Sequence, residues 1–400
     1  MAETRKASRF IVPVAVAGVA AATIGLVPAL AASGDPDLPE ITAQQLIEKI
    51  AASDTQTLSG TFKISTDLGL PLGGLTSALG GIGGGPSTAD PSAKLTELVS
   101  GSHTLRVAAD GPERQKLTLL DGSDEYSLIH NGDDVWAYDS KSNEVFHEKA
   151  PAGADAPGAH EVPKGKELPG TPKQLADEVL KAAGDTTSIT VDGTAKVAGR
   201  DAYQLVIKPK QAGSTVESVK IAVDAASGTP LKFTLSSVEG GKPVVDAGFT
   251  KVDFSKPAAS DFTFKAPEGA KVTEGAAEKA AGEKAAGEKG DPFEGQLPEG
   301  LEGVFGDFGA GSGEGGMNVI GEGWTAIAKI DSGAPAPKTD EAPKEFQGLL
   351  DSLGDKVTGK FGSGTVFKTK IVNALLTDDG KVYVGAVTKD ALVDAANSGK

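Results

Sequence analysis

Three residue pairs, Asp110-Gly111, Asp121-Gly122 and Asn131-Gly132, recur at intervals of ten or eleven residues. Each tolerates the positive φ that a tight hairpin requires. Between and beyond them the apolar residues alternate: Leu105, Val107 and Ala109, then Leu117 and Leu119, Tyr126 and Leu128, Trp136 and Tyr138, and Phe146. Period-two alternation punctuated by hairpin turns leaves little choice but a meander of antiparallel neighbours from His103 to Lys149, each run presenting one apolar face.

A second series follows the same rule. Tyr203, Leu205 and Ile207 alternate with polar or smaller residues, as do Val219, Ile221 and Val223, and Leu231, Phe233 and Leu235. Asp192-Gly193, Gly199-Arg200 and Ser227-Gly228 mark the expected turns. Phe249, Val252 and Phe254 lead to a short closing strand at Phe262-Thr263-Phe264. Upstream, Leu58, Phe62 and Ile64 form a strand of their own. About ten strands between Leu58 and Phe264 at this spacing predict one large, strongly curved sheet or an open barrel.

Helices are expected where caps precede an apolar stripe. Thr42-Ala43-Gln44-Gln45 has capping-box spacing ahead of Leu46, Ile47 and Ile50, a helix ending near Ser53. Asp90-Pro91 opens a helix with Leu95, Leu98 and Val99, stopped by Gly101. Thr171-Pro172-Lys173-Gln174 combines cap, first-turn proline and capping-box glutamine ahead of Leu175, Val179 and Leu180, with Gly184 as the stop. Residues 69–86 are Gly-rich yet carry Leu70, Leu72, Leu75, Leu79 and Ile82, and read either as a flexible insertion or as an apolar flap.

These signals divide the chain into 1–32, an export segment; 38–272, the large β-rich domain; 273–316, an acidic, Gly-rich low-complexity linker beginning with an Ala-Glu-Lys-Gly repeat; and 317–400, a small α+β unit. In that last unit Trp324–Ile330 reads as a strand. Phe346, Leu349, Leu350 and Leu353 read as a helix face ended by Gly354. Two strands flank Asp379-Gly380, and Thr388 caps a final helix through Leu392 and Val393. With so few apolar residues this unit should pack on something larger, and the barrel mouth is the expected place.

The export segment has a cationic start (Arg5, Lys6, Arg9), an apolar run from Phe10 to Ala31 and Ala29-Leu30-Ala31 before a polar Ser33-Gly34-Asp35-Pro36. That is the layout of a cleaved secretory signal. The run is also long enough, at about 1.5 Å per residue, to cross a bilayer core of roughly 30 Å as a retained anchor. Positive charge on its leading flank puts the remainder outside the cytoplasm in both cases.

Acidic residues outnumber basic ones 55 to 39, a net charge of −16 that becomes −18 when residues 1–31 are taken away. Such a chain has no means of neutralising phosphates over an extended surface, so nucleic acid is excluded as a partner. Cysteine is absent, which removes disulfides, thiolate metal sites, cysteine nucleophiles and the acylated N-terminal cysteine of a lipoprotein. The four histidines (103, 130, 147 and 160) show no ligand spacing. Asp133-Asp134 and Asp378-Asp379 are explained by the turns they occupy. No nucleophile elbow, phosphate loop or dinucleotide fingerprint occurs. The expectation is a binding protein: no catalytic residues, no metal, no cofactor.

The segments IHNGDDVWAYDSKSNEVFH, GTAKVAGRDAYQLVIKPK, VKIAVDAASGTPLKFTL and FTKVDFSKPAASDFTFKAPEGAKV, taken with the order of helices and strands, resemble the LolA-type lipoprotein-carrier family and the related N-terminal domain of the RseB/MucB sigma-factor regulators. The resemblance runs over about residues 38–272. It implies a mainly β fold with helices, an open, strongly curved antiparallel β-barrel whose helices form a lid over a cavity for acyl chains. The partner it implies is a lipid or acylated lipoprotein; the regulator branch implies a membrane protein partner instead. The cavity lining expected on this basis is Leu58, Phe62, Ile64, Leu105, Val107, Leu117, Leu119, Tyr126, Leu128, Trp136, Tyr138, Tyr203, Leu205, Ile207, Leu231, Phe233 and Phe249. The family's lid-latching arginine has no clear counterpart, Arg106 and Arg114 being the nearest.

Overall fold

The computed structural model describes residues 36–69, 89, 91, 94, 101–149, 172–275, 317–331 and 354–399. The expected export segment, the Gly-rich stretch from residue 70, most of the expected 90–99 helix, residues 276–316 of the expected linker and the expected helix at 346–353 lie outside the described residues. Among the described residues no helix is long and apolar enough to cross a membrane.

Helix α1 (Ala43–Ala51) starts as its capping box predicts: the Gln45 amide donates to Thr42 Oγ1 and the Thr42 amide to Gln45 Oε1. The chain then enters β1 (Thr57–Thr66), β2 (Gly101–Asp110), β3 (Arg114–Asp121), β4 (Asp124–Asn131), β5 (Asp134–Asp139) and β6 (Glu144–Lys149). Helix α2 (Pro172–Ala183), opened by its first-turn proline, precedes β7 (Thr187–Val197), β8 (Arg200–Pro209), β9 (Val216–Asp224), β10 (Pro230–Ser237), β11 (Val245–Asp253) and β12 (Lys271–Glu274).

These strands make one sheet in the order β12-β6-β5-β4-β3-β2-β1-β11-β10-β9-β8-β7. Every pair is antiparallel except β12 with β6. The two hairpin series are thus each contiguous, and β1 joins them by pairing with β2 on one side and β11 on the other. The sheet is strongly curved and not closed. Although three strands separate them, β7 and β11 come into contact. Register shifts in the β1–β11, β9–β10 and β7–β8 pairs supply local bends of the kind that curl a sheet.

Three expectations need correcting here. Asp192-Gly193 is not a turn; β7 runs through it with a bulge between Val191 and Thr194, Gly193 taking φ +77°. The reversal comes later, at Ala198-Gly199, both with positive φ. Phe262-Thr263-Phe264 is not a strand. After Pro257 the chain turns through a 3₁₀ segment, Ala259–Phe262, and Phe262 is buried at 1% exposure. The closing strand is β12, which lies partly inside the stretch assigned to the linker.

A second sheet has the order β13-β14-β18-β17-β16-β15, from β13 (Met317–Ile320), β14 (Ile327–Asp331), β15 (Gly354–Gly359), β16 (Gly362–Phe367), β17 (Asn373–Thr377) and β18 (Lys381–Gly385). Helix α3 (Lys389–Ser398), capped by Thr388, packs Leu392, Ala395 and Ala396 onto Leu375, Tyr383 and Val366. Two further corrections apply. Trp324 sits in a 3₁₀ turn before β14, outside the strand expected to begin there, and Gly354 is the first residue of β15.

The six-stranded sheet is joined to one rim of the large sheet by backbone as well as side chains. The Thr215 amide donates to Ala386 O (3.0 Å), Thr388 N to Gly213 O (2.8 Å) and Lys370 N to Leu68 O (2.9 Å). Ser237 Oγ donates to Lys370 O at 2.7 Å, and Trp324 Nε1 to Thr187 Oγ1 at 2.8 Å.

Candidate functional site

The apolar face of the large sheet carries the expected site, and register decides which residues reach it. Across β8–β9, Tyr203 pairs with Val223, Leu205 with Ile221 and Ile207 with Val219, so these share a face. Tyr203 and Leu205 are buried there against Leu46, Ile47 and Ala176 of the two helices, with Ile189 and Val191 packed alongside. Leu46 and Ala176 have no exposed surface, and Tyr203 Oη donates to Pro39 O at 3.0 Å. Gln44 Nε2 reaches Asp177 Oδ1 at 2.9 Å, tying α1 to α2.

On the other half of the sheet Leu105, Leu119 and Tyr126 form a cluster with Ala89, Ala137 and Phe146, against which Phe62, Ile64, Leu117 and Leu128 pack. Leu58 and Val107 fall on this face by alternation with Phe62 and Leu105. A second cover is latched here. Tyr126 Oη donates to Ala89 O at 3.0 Å, and helical Lys94 forms an ion pair of 3.2 Å with Asp139, a residue 5% exposed. Neither arginine considered for the latch does this: Arg114 pairs with Asp110, and Arg106 is exposed. His130, on the same face as Leu128 by alternation, is 8% exposed, and its Nδ1 has no hydrogen-bond partner among the described residues.

Three residues of the expected lining, Trp136, Tyr138 and Leu231, lie elsewhere, and a fourth, Phe233, shares the face of its partner Ile221 without being buried there. The loop Gly132-Asp133 sets Ile129 opposite Trp136 and Ser127 opposite Tyr138, whereas Leu128 faces Ala137. Trp136 and Tyr138 therefore stand on the opposite face from Tyr126 and Leu128. There Trp136 stacks on the His147 ring (3.7 Å between centroids), and Phe264 covers both aromatics at 5.4 and 5.9 Å. His147 itself lies 2.9 Å from Asp134 Oδ1 and 2.8 Å from Glu274 Oε2, which fastens β12 to the sheet edge. Leu231 packs with Val197, Ala202 and Ala222, which alternation turns away from Tyr203 and Ile221. Phe233 is 38% exposed. Phe249 bridges the groups, its ring 5.0 Å from Phe62 while it packs against the Leu231 cluster.

Sequence reasoning passed over Ile189 and Val191, because Asp192-Gly193 was read as a turn, and Phe262 and Phe264, because they were read as strand. The pairings Ile189 with Ile207 and Val191 with Leu205 follow once β7 is taken as continuous up to Val197.

A different polar constellation fixes the β9–β10 hairpin. Asp224, 1% exposed, accepts from Arg200 Nε (2.5 Å) and Nη2 (2.9 Å) and from Ser227 N (2.7 Å) and Oγ (2.8 Å). Burial opposes its ionisation, but the hydrogen bonds from Arg200 and Ser227 and the guanidinium charge together hold its pKa below the ordinary carboxylate value. The guanidinium in turn lies 4.7 Å over the Phe254 ring. Nothing in this arrangement offers a nucleophile or a proton-transfer pair to a substrate. Among the described residues no cluster of histidine and acidic side chains is arranged to hold a metal ion.

Compared with known proteins, the chain has no match among curated sequences. Solved structures similar to it include the MucA/MucB complex of Pseudomonas aeruginosa, at 16% identity and a TM-score of 0.37, covering 88% of this chain and 96% of that one. A LolA superfamily protein from Nitrosomonas europaea is 11% identical with a TM-score of 0.20, over 56% of this chain and 99% of its own. An uncharacterized conserved protein from Thermus thermophilus is also 11% identical, with a TM-score of 0.30 over 58% and 98%. The resemblance read in the sequence is shown by a family model: residues 95–267 match the MucB/RseB N-terminal domain.

Proposed function

We propose that the chain is an extracytoplasmic, non-enzymatic binding protein that receives an acyl chain, from a lipid or an acylated lipoprotein, on the apolar face now covered by α1, α2 and the contacts of Ala89 and Lys94. The observation that carries this is the kind of cover. Two apolar clusters of the sheet are covered from outside the sheet, by α1 and α2 over Tyr203 and Leu205 and by Ala89 beside Leu105, Leu119 and Tyr126, with polar ties at Tyr126–Ala89, Lys94–Asp139 and Tyr203–Pro39. Polar ties can open and re-form in water at small net cost, whereas a face sealed by its own strands could not open without unfolding. The secretory-signal layout of residues 1–32 supports a site outside the cytoplasm. The expected lining is accordingly narrowed to the residues beneath the covers, Tyr203 and Leu205 on one half and Phe62, Ile64, Leu105, Leu117, Leu119, Tyr126 and Leu128 on the other.

The test is native mass spectrometry of the protein purified from its own envelope, followed by organic extraction, with uptake of a fluorescent fatty-acyl probe by delipidated protein. Stoichiometric lipid and saturable uptake, raised in Lys94→Ala and Tyr126→Phe, support the reading. Apo mass and no saturable uptake in any of the three proteins would remove it. The family match favours a second reading, in which the protein acts as an envelope-stress sensor that binds the external part of a membrane protein. In-cell crosslinking that recovers a defined membrane partner without lipid would support that alternative.

A further inference from the structure

We infer that His130 is the polar anchor of the acyl site, its Nδ1 donating to a carboxylate or ester carbonyl oxygen at the head of the bound chain; this rests on the acyl-binding reading above. His130 and His147 are equally buried, each 8% exposed, and differ in what surrounds their rings. Both nitrogens of His147 meet carboxylates and its ring stacks on Trp136, which accounts for its burial as a clamp on β12. His130 has no such partners: its Nδ1 is shielded from water and is hydrogen-bonded to nothing among the described residues. A ring nitrogen in that position is unfavourable with or without its proton, because it is then an unfilled donor or an unfilled acceptor.

The neighbours of the ring do not supply what it lacks. Directly across from His130 stand Gln115 on β3 and Val135 on β5. Val135 is apolar, and Gln115 gives its amide nitrogen to Pro112 O at 3.3 Å. The carboxylate of the same cross-strand row, Glu148, belongs to β6, two strands and about 9–10 Å of sheet away. The other polar groups of this face, Tyr126 Oη and Asp139, are already engaged by Ala89 O and Lys94.

Its place along the strand fits a molecule with one polar end. His130 is the last residue but one of β4, beside the Asn131-Gly132 turn, and so stands at the rim of the sheet. Inward from it Leu128 and Tyr126 follow on the same face, flanked by their partners Leu117 and Leu119. This is an apolar track of about 13 Å, four residues of strand, with a single unmatched nitrogen at its outer end. A hydrocarbon tail lies along the track toward the Ala89 contact, and the oxygen at its head reaches the nitrogen at the rim. The same oxygen is present in a free fatty acid and in the ester of an acylated lipid or lipoprotein.

The test follows the histidine ring-nitrogen NMR resonances of the delipidated full-length protein, with His130 assigned by substitution, during titration with dodecanoic acid, methyl dodecanoate and dodecane. The His130 Nδ1 resonance should move on binding of the acid and stay in place with dodecane. His130→Leu should weaken binding of the acid about tenfold, leave that of dodecane unchanged and not lower the thermal midpoint of the free protein, because it removes an unpartnered nitrogen. His130→Asn keeps an N–H close to the position of Nδ1 and should restore most of the affinity. A shift with the acid alone assigns the acceptor to a free carboxylate; a shift with the ester as well assigns it to the carbonyl of an acylated lipid or lipoprotein. Equal affinity of wild type and His130→Leu for the acid, or an Nδ1 resonance that does not move, overturns the anchor and leaves the acyl reading standing. Binding of none of the three ligands overturns both.

Discussion

Replacing Asp224 by alanine removes the acceptor of four hydrogen bonds at once, two from the Arg200 guanidinium and two from Ser227. Breaking a buried ion pair from one side costs about 3–5 kcal/mol, chiefly through the charge left behind. Arg200 keeps a third of its side chain exposed and can recover water, which puts the expected loss near the lower limit, about 3 kcal/mol. The pH dependence gives the sign an independent check. The folded pKa of Asp224 lies below its unfolded value of about 3.9. Its contribution is therefore complete above that value and is lost as pH falls through the lower folded value. Urea unfolding of the full chain, followed by circular dichroism from pH 7 down to pH 3, should show wild type and Asp224→Ala separated at neutral pH and converging in acid. A difference below about 1 kcal/mol at pH 7, or one that does not change with pH, would refute the assignment of Asp224 as the charged anchor of the hairpin.

Gly228→Ala should lower the thermal midpoint sharply. Gly228 has φ +76° and an added Cβ would fall 2.3 Å from Lys49 O, so the cost is about 2 kcal/mol or more and α1 must shift from the β9–β10 turn. Leu46→Ala, at a fully buried position of α1, should cost about 2–5 kcal/mol by urea unfolding and raise acyl-probe uptake; unchanged stability would mean that α1 does not seal the face. Lys370→Ala removes a partly exposed pair with Asp67 and should change stability by less than about 1 kcal/mol, while slow amide exchange at Thr215 and Thr388 persists because backbone bonds hold the two sheets together.

The sequence by itself determined the three turns of the first hairpin series and the starts of α1 and α3, because these rest on interactions among near neighbours. Asn131-Gly132 admits the positive φ of its turn wherever the hairpin lies, and Thr42 with Gln45 caps α1 without help from the remainder of the chain. Apolar alternation likewise put Leu105, Leu119 and Tyr126 on one buried face. Alternation does not say which runs share that face, since a shift of one residue in register moves a whole strand's side chains to the other side. Only the pairing of Ile129 with Trp136 placed the latter against Phe264 and His147, and only the bulge near Pro230 sent Leu231 to the cluster of Ala202 and Ala222. Long-range contacts were equally beyond local reading. The parallel addition of β12 at the sheet edge and the ion pair of Lys94 with Asp139 bring together residues that no periodicity connects; each exists because the curved sheet sets distant backbone segments side by side.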